Sequence, residues 1–264
     1  MTTELTLKSG SGKDYVVELP DPKPNFDSKY VFAFAKSGST LLDNLISVYC
    51  QQVNVPTFSL FNQAFGQGLS TGELGNEALP CFEQSGTIFT GFRHYPNFEL
   101  DICKNKAIWL VRDPRDMAVS MFYSVAKSHV IPKGNKTLEK LRQESQQFAI
   151  DVFALQRIDS YVGQFKRYRA KLADKNVTIY RYEDVIYKKI DWLKQVIETL
   201  GIEFNRALLE QVVEKFNVIP SKEQEEQHIR QVHPGNYKQK LQPETIDKMN
   251  AKAAEFLGFF NYEA

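Results

Sequence analysis

Apolar positions along the chain switch between two periods, and the switches mark its elements. Tyr30 to Ala35 is a continuous apolar run that stops at Lys36-Ser37-Gly38-Ser39-Thr40. Leu41, Leu42, Leu45, Ile46 and Tyr49 then follow at helical spacing. This predicts a strand, a tight polar loop and a helix. Thr87–Arg93 and Ala107–Asp113 predict two further strands, and Asn176–Val185 a strand running into a loop. Helical spacing recurs over 116–128, over 138–172 as one or two helices, and over 190–200, 206–216 and 244–257. Between these lie polar stretches. Residues 1–29, with Pro20, Pro22 and Pro24, predict an extended arm with an edge strand at Tyr15–Leu19. Residues 60–80, rich in Gly, Ser, Asn and Gln, predict a long mobile loop. Residues 129–136 predict a turn-rich break and 220–244 an irregular segment.

Strands that alternate with helices argue an α/β fold whose mostly parallel sheet is covered on both faces. No repeat, low-complexity block or linker divides the sequence, so residues 1–264 read as one domain. In such sheets ligands sit beyond the carboxyl ends of the strands.

Composition narrows the classes. Charged residues make up 25% and hydrophobic ones 42% of 264, ordinary for a globular protein. A net charge of +1 gives no overall footprint for nucleic acid. Cys50, Cys81 and Cys103 are widely spaced and odd in number, which suits neither a disulfide framework nor a metal site. The start lacks the apolar core of a signal peptide, and no apolar run is long enough to span a membrane. A reducing, cytoplasmic location is the expectation.

Two anion-binding candidates stand out. At the first, the loop before the helix leaves backbone N–H groups at a helix N-terminus, where the dipole favours an anion. Lys36 adds a charge there, and Ser37, Ser39 and Thr40 add hydroxyls. The nucleotide-triphosphatase loop puts its Lys after the last Gly; here Lys36 precedes the only Gly, so triphosphate hydrolysis is not the first implication. The second is Val111-Arg112-Asp113-Pro114-Arg115-Asp116, followed by Ser120. Asp113 suits an N-cap and Pro114 the first helical position. Arg112 at a strand end can grip an anion with its planar fork, unless it pairs with Asp113 or Asp116.

Together these segments resemble the sulfotransferases that use 3′-phosphoadenosine 5′-phosphosulfate (PAPS). Their 5′-phosphosulfate loop, P-K-S-G-[TS]-[TS]-[WF], corresponds to Ala35 through Leu41, with Lys36, Ser37, Gly38, Ser39 and Thr40 in place. Their 3′-phosphate motif, R-[DN]-x-x-D-x-x-x-S-x-[YF], fits Arg112, Asp116, Ser120 and Phe122. Tyr182-Glu183-Asp184 matches a family Tyr-Glu-Asp at a later strand end. Arg230 through Lys238 resembles the R-K-G-x-x-G-x-W-K segment that covers the nucleotide. Four motifs in order span residues 30–238. Ala35 and Leu41 depart from the usual Pro and aromatic residue. Gln231-Val232 replaces Lys-Gly, and the dimer segment found in cytosolic members is not reproduced after Lys238.

The resemblance implies a P-loop-type three-layer fold and an enzyme that moves a sulfuryl group from PAPS to a small-molecule hydroxyl or amine. It places the base at His94, where Phe92-Arg93-His94-Tyr95-Pro96 matches a K-T-H-x-P context. Phe92 takes the Lys position; Arg93, one residue closer, is the candidate replacement for that cation, although strand alternation points it to the opposite side from His94. Glu99 and Asp101 are the alternative, carboxylate bases; near the base they would favour a cationic acceptor. Of the other three histidines, His129, His228 and His233, the last two flank the covering segment and read as structural. Lys36 stabilises the leaving oxygen, Arg112, Ser120 and Arg230 select the 3′-phosphate, and Tyr182 lies near the adenine. No metal, nucleic acid or membrane partner is expected. Phe58, Phe61, Phe65, Phe89, Tyr95, Phe98 and Tyr123 are candidates for the acceptor pocket or the core. Two other classes stay open: a P-loop kinase, and a non-catalytic nucleotide-binding protein.

Overall fold

The computed structural model describes residues 3–83, 85–102, 106–128, 131–220, 222–224 and 230–263. Cys103, His129 and His228 lie outside the described residues. Two strands, β1 (Thr3–Lys8) and β2 (Asp14–Leu19), form an antiparallel hairpin. The central sheet holds β3 (Lys29–Ala33), β4 (Thr57–Phe58), β5 (Ile88–Phe89), β6 (Ala107–Val111) and β7 (Val177–Arg181). Its order is β4-β5-β3-β6-β7, and every pairing is parallel. The α/β reading from the sequence is the observed fold.

Every residue of β3 and β6 is buried, as a sheet covered on both faces requires. Alternation divides their side chains between two cores. Val31, Ala33, Ile108 and Leu110 pack on one face against α1 (Ser39–Gln52), α7 (Lys189–Leu200) and α8 (Arg206–Phe216). Phe32, Phe34 and Trp109 pack on the other against α3 (Pro114–Tyr123), α5 (Ile150–Leu172) and the C-terminal helices. Tyr168 of α5 stands edge-on to Phe32 and Phe34 and donates to the Ala33 carbonyl at 3.0 Å. Among the described residues, no helix is long and apolar enough to cross a membrane.

Several local expectations change. The arm over 1–29 contains the hairpin: the edge strand expected at 15–19 is β2, and β1, whose Leu5 and Leu7 alternate with polar residues, is its antiparallel partner. The loop expected over 60–80 is instead helix α2 (Leu60–Gly66) followed by two 3₁₀ segments, Thr71–Glu73 and Asn76–Phe82. Ser59 caps α2 by accepting from Asn62 N–H, and Leu60, Phe61 and Ala64 form its buried face. Gln63 of α2 and Gln67, its C-cap, have a backbone role. The Gln67 carboxamide exchanges hydrogen bonds with Val16 N–H and C=O at 2.9 and 2.7 Å. Gln63 does the same with Glu18 at 2.8 and 3.0 Å. Four helical residues rise about 6 Å and two strand residues about 6.6 Å, so the two periods match. The helix expected over 138–172 is two, α4 (Lys136–Gln147) and α5. The strand expected over 87–93 pairs only at Ile88 and Phe89, because β4 offers two residues and Gly91 turns the chain at φ 82°.

Candidate active site

The strand ends at the carboxyl edge of the sheet meet at one cavity of about 710 Å³. The loop after β3 supplies Lys36, Gly38, Ser39 and Thr40; the segment after β5 supplies Arg93 and His94. Arg112 follows β6, and Tyr182 opens α6 (Tyr182–Val185) after β7.

The loop's backbone is fixed from three directions. Ser37 donates its hydroxyl to the Phe34 carbonyl at 2.8 Å. Tyr161 of α5 donates to the Ala35 carbonyl at 3.1 Å, and Arg112 to the Lys36 carbonyl at 3.3 Å. With these carbonyls held, the N–H groups of the first turn of α1 carry no side-chain cap. Lys36 and Gly38 both lie in the left-handed region, at φ 73° and 92°. At Gly38 the need for glycine is double. A Cβ would meet the Tyr182 ring at 2.7 Å, and the φ itself disfavours a side chain. The ring that crowds Gly38 stacks on the Arg112 guanidinium, 4.4 Å away, and its hydroxyl donates to the Val232 carbonyl at 2.9 Å.

Arg112 is buried at 5% exposure. It reaches Asp116 at 3.4 Å, which pairs the two as an i,i+4 ion pair, but its buried Nε has no partner among the described residues. Asp116 has a second task. Its carboxylate accepts from Gly235 N–H at 2.8 Å and Tyr237 N–H at 3.0 Å, so it fastens the 235–237 turn to α3. Asp113 caps α3, accepting from Arg115 N–H at 2.9 Å, and pairs with the Arg115 side chain at 2.7 Å rather than with Arg112. Ser120 lines the cavity from α3. Arg230 does not: it lies on the Tyr123 ring, paired with Glu223 and donating to Asn236 at 2.7 Å.

Charge in the cavity has one sign. Lys36, Arg93, Arg112, Arg157 and Lys189 line it, and among the described residues no carboxylate does. Burial, then repulsion from Arg112, Arg230 and Arg93, lowers the Lys36 pKa to about 8. Arg93 is held by Asp43 of α1 at 2.7 Å. The turn at Gly91 removes the strand alternation expected of Arg93 and His94, so both face the cavity. Burial and the Arg167 charge lower the His94 pKa to about 4, so the imidazole is neutral near pH 7. Its Nδ1 lies 3.4 Å from Thr71 Oγ1.

Glu99 and Asp101 are exposed and do not line the cavity; Glu99 pairs with Lys171. His233 bonds Tyr187 through Nδ1 at 2.6 Å, away from the cavity. Of the aromatic candidates, Phe61 and Phe65 line it. Phe58, Phe89, Tyr95 and Phe98 are buried in the core, and Tyr123 packs beside Arg230. The sequence reading did not single out Asp43, Thr71, Tyr161, Gln164 or Lys189; Asp43 lies on α1 just past the loop, and the other four reach the site from other elements. Among the described residues, no cluster of three or more His, Cys, Asp or Glu could hold a metal ion.

The fold resembles that of mouse sulfotransferase SULT7A1 complexed with PAP (3′-phosphoadenosine 5′-phosphate), with a TM-score of 0.59 at 17% identity. That match covers 89% of this chain and 85% of the other. Retinol dehydratase, solved with androsterone and PAP and also with retinol and PAP, matches at a TM-score of 0.56. Identity in the androsterone complex is 14%, over 97% of this chain and 90% of that one. A sequence search among curated proteins finds no match. The family model for the sulfotransferase domain matches residues 27–257, from the lead into β3 to the last helix. The cavity's anion-ready loop and strand-end arginine therefore sit in a chain that belongs to the sulfotransferase domain family, whose enzymes depend on PAPS.

Proposed function

We propose that the protein transfers a sulfuryl group from PAPS to a hydroxyl or amine of a small-molecule acceptor, with His94 as general base. The observation that carries this reading is the cavity itself. It joins an uncapped helix terminus, a half-buried Lys36 and a neutral imidazole, and among the described residues no carboxylate lines it to repel an anion. Arg112 supports the fit, because its buried Nε lacks a partner and a phosphate oxygen would satisfy it.

In this reading Lys36, Ser39, Thr40 and the first-turn N–H groups hold the 5′-phosphosulfate. Ser37 fixes the loop through Phe34, and Gly38 admits Tyr182. Arg112 and Ser120 hold the 3′-phosphate. Arg230 joins them by exchanging Glu223 for that phosphate. Bound there, PAPS supplies an activated sulfuryl group. Thr71 accepts from His94 Nδ1–H, which leaves Nε2 free to take the acceptor's proton. Lys36 and the helix terminus stabilise charge growing on the 5′-phosphate side. The anion also raises the pKa of His94 from about 4, bringing it into a range where a base takes protons efficiently. Residues 1–264 act as one sulfotransferase domain. A cytoplasmic location is supported by Cys50 and Cys81, which are buried free thiols.

Thermal unfolding with PAP, ADP and Mg-ATP tests the reading. PAP at a hundredfold over its dissociation constant adds about 2.7 kcal/mol, a rise of roughly 5–10 °C in a chain of this size. A rise with PAP, followed by transfer from PAPS, is expected. A rise with Mg-ATP alone would favour the kinase. A rise with PAP but no transfer to any acceptor would leave a nucleotide-binding protein.

A further inference from the structure

Beyond the nucleotide end, the cavity extends between α2, α4 and α5. Phe61 and Phe65 of α2, Leu138 and Leu141 of α4 and Met121 of α3 give it apolar walls. On α5, Ser160 and Gln164 stand one turn apart and line the same space. Gln164 Nε2 donates to Ser160 Oγ at 3.2 Å, while its buried Oε1 has no partner among the described residues. A buried carbonyl oxygen left unpaired is destabilising, and the terminal torsion of glutamine is soft, so a ligand donor can capture it.

The position of Gln164 relative to the base is fixed. Arg167, the next residue but two on α5, donates to Asn97 Oδ1 at 2.7 Å and to the Pro96 carbonyl. The segment that carries His94 is thereby tied to the helix that carries Gln164. A molecule held at both places spans a defined distance.

Charge decides what that molecule is. Arg93 and Arg157 line the cavity, paired with Asp43 at 2.7 Å and Glu144 at 3.5 Å, and the buried Nε of Arg157 has no partner among the described residues. Among the described residues no carboxylate lines the cavity, so an ammonium would find no anionic partner in its wall. At the base itself, burial and the Arg167 charge lower the basicity of His94 and likewise disfavour positive charge. A hydroxyl, unlike an ammonium or a carboxylate, both donates and accepts. It therefore satisfies a carboxamide and a neighbouring serine together.

Resting on the sulfotransferase reading, we infer that the acceptor is an uncharged molecule with an apolar body and two hydroxyls. One faces His94, the other is held by Gln164 and Ser160, and protonated amines are excluded. The reaction at the first hydroxyl is the family's own: the acceptor O–S bond forms, the bond from sulfur to the 5′-phosphate oxygen breaks, and His94 takes the proton.

The test uses the PAP-loaded full chain and three probes of one scaffold: 2-naphthol, 2,6-dihydroxynaphthalene and 2-(aminomethyl)naphthalene. Calorimetry reads binding, and PAPS turnover reads kcat/KM for the two phenols. Wild type is expected to favour the diol over the mono-ol about tenfold, as one hydrogen bond allows, and to bind the amine at least tenfold more weakly than the mono-ol. In Gln164→Leu the diol preference should fall to the statistical advantage of its two equivalent hydroxyls. In Gln164→Glu the amine should gain at least tenfold. PAP affinity in each variant checks that the protein is folded. A diol preference that survives Gln164→Leu above that statistical advantage overturns the inference. So does an amine bound by wild type as tightly as the mono-ol, or the failure of PAP-loaded protein to bind any probe. Failure of PAP itself to bind would instead sink the underlying sulfotransferase reading, and this inference with it.

Discussion

Replacing Gly38 with Ala tests how tightly the phosphate loop is locked to the Arg112 side of the site. Two separate penalties apply. The left-handed φ of 92° disfavours any Cβ, by about 1–2 kcal/mol. The Tyr182 ring, whose carbons would lie 2.7 and 2.9 Å from the new atom, must also move. Overpacking of that kind typically adds about 1–3 kcal/mol. Gly38→Ala should therefore lower unfolding free energy by about 2–5 kcal/mol in urea titrations. The two terms separate in a double-mutant cycle. In a Tyr182→Ala background the ring is gone, and Gly38→Ala should retain only the backbone term. The coupling energy between the positions should then be about 1–3 kcal/mol. Additivity within about 0.5 kcal/mol would refute the claim that Tyr182 is what closes this position to side chains. PAP affinity gives a second readout, because a displaced Tyr182 no longer supports the Arg112 guanidinium.

Three further outcomes follow from the site's electrostatics. Lys36 is half neutral near pH 8 in the free protein, and a bound anion restores its proton. PAP affinity should therefore weaken as pH rises above about 8, by up to tenfold per unit, and Lys36→Arg should flatten that slope in calorimetric titrations; an unchanged slope would mean another group titrates. His94→Ala should lower kcat by about 10²–10⁴-fold while PAP still binds, and turnover near wild type would remove His94 from the base position. Arg112→Ala should cost about 2–5 kcal/mol of PAP affinity yet change affinity for adenosine 5′-phosphosulfate, which lacks the 3′-phosphate, far less. Equal losses for both ligands would place Arg112 elsewhere on the nucleotide.

The parts of the site that the sequence disclosed are those whose residue type is dictated by local backbone. A Gly at a left-handed turn, a Lys beside it and an Asp-Pro opening a helix after Arg112 all announce themselves within a few positions. The alternation that divides β3 and β6 between two cores is equally local. What stayed hidden depends on distance along the chain. Asp43 meets Arg93 across 50 positions, and Asp116 fastens a turn 119 residues downstream. Residues 60–80 misled for a different reason. Their glutamines and serines suggested a loop, but Ser59 is a cap, and Gln63 and Gln67 use their carboxamides on a strand instead of on water. Arg93 escaped the alternation rule because Gly91 had already ended the strand.

Those two glutamines bear on how the molecule behaves in company. A hairpin at the margin of a protein offers its outer N–H and C=O groups to any passing extended segment. Here the carboxamides of Gln63 and Gln67 imitate a neighbouring peptide chain, filling the hydrogen-bonding positions of Val16 and Glu18 that a foreign strand would need. The helix thus shields the β2 edge by chemical mimicry. Losing both carboxamides would turn a closed margin into a template for self-association.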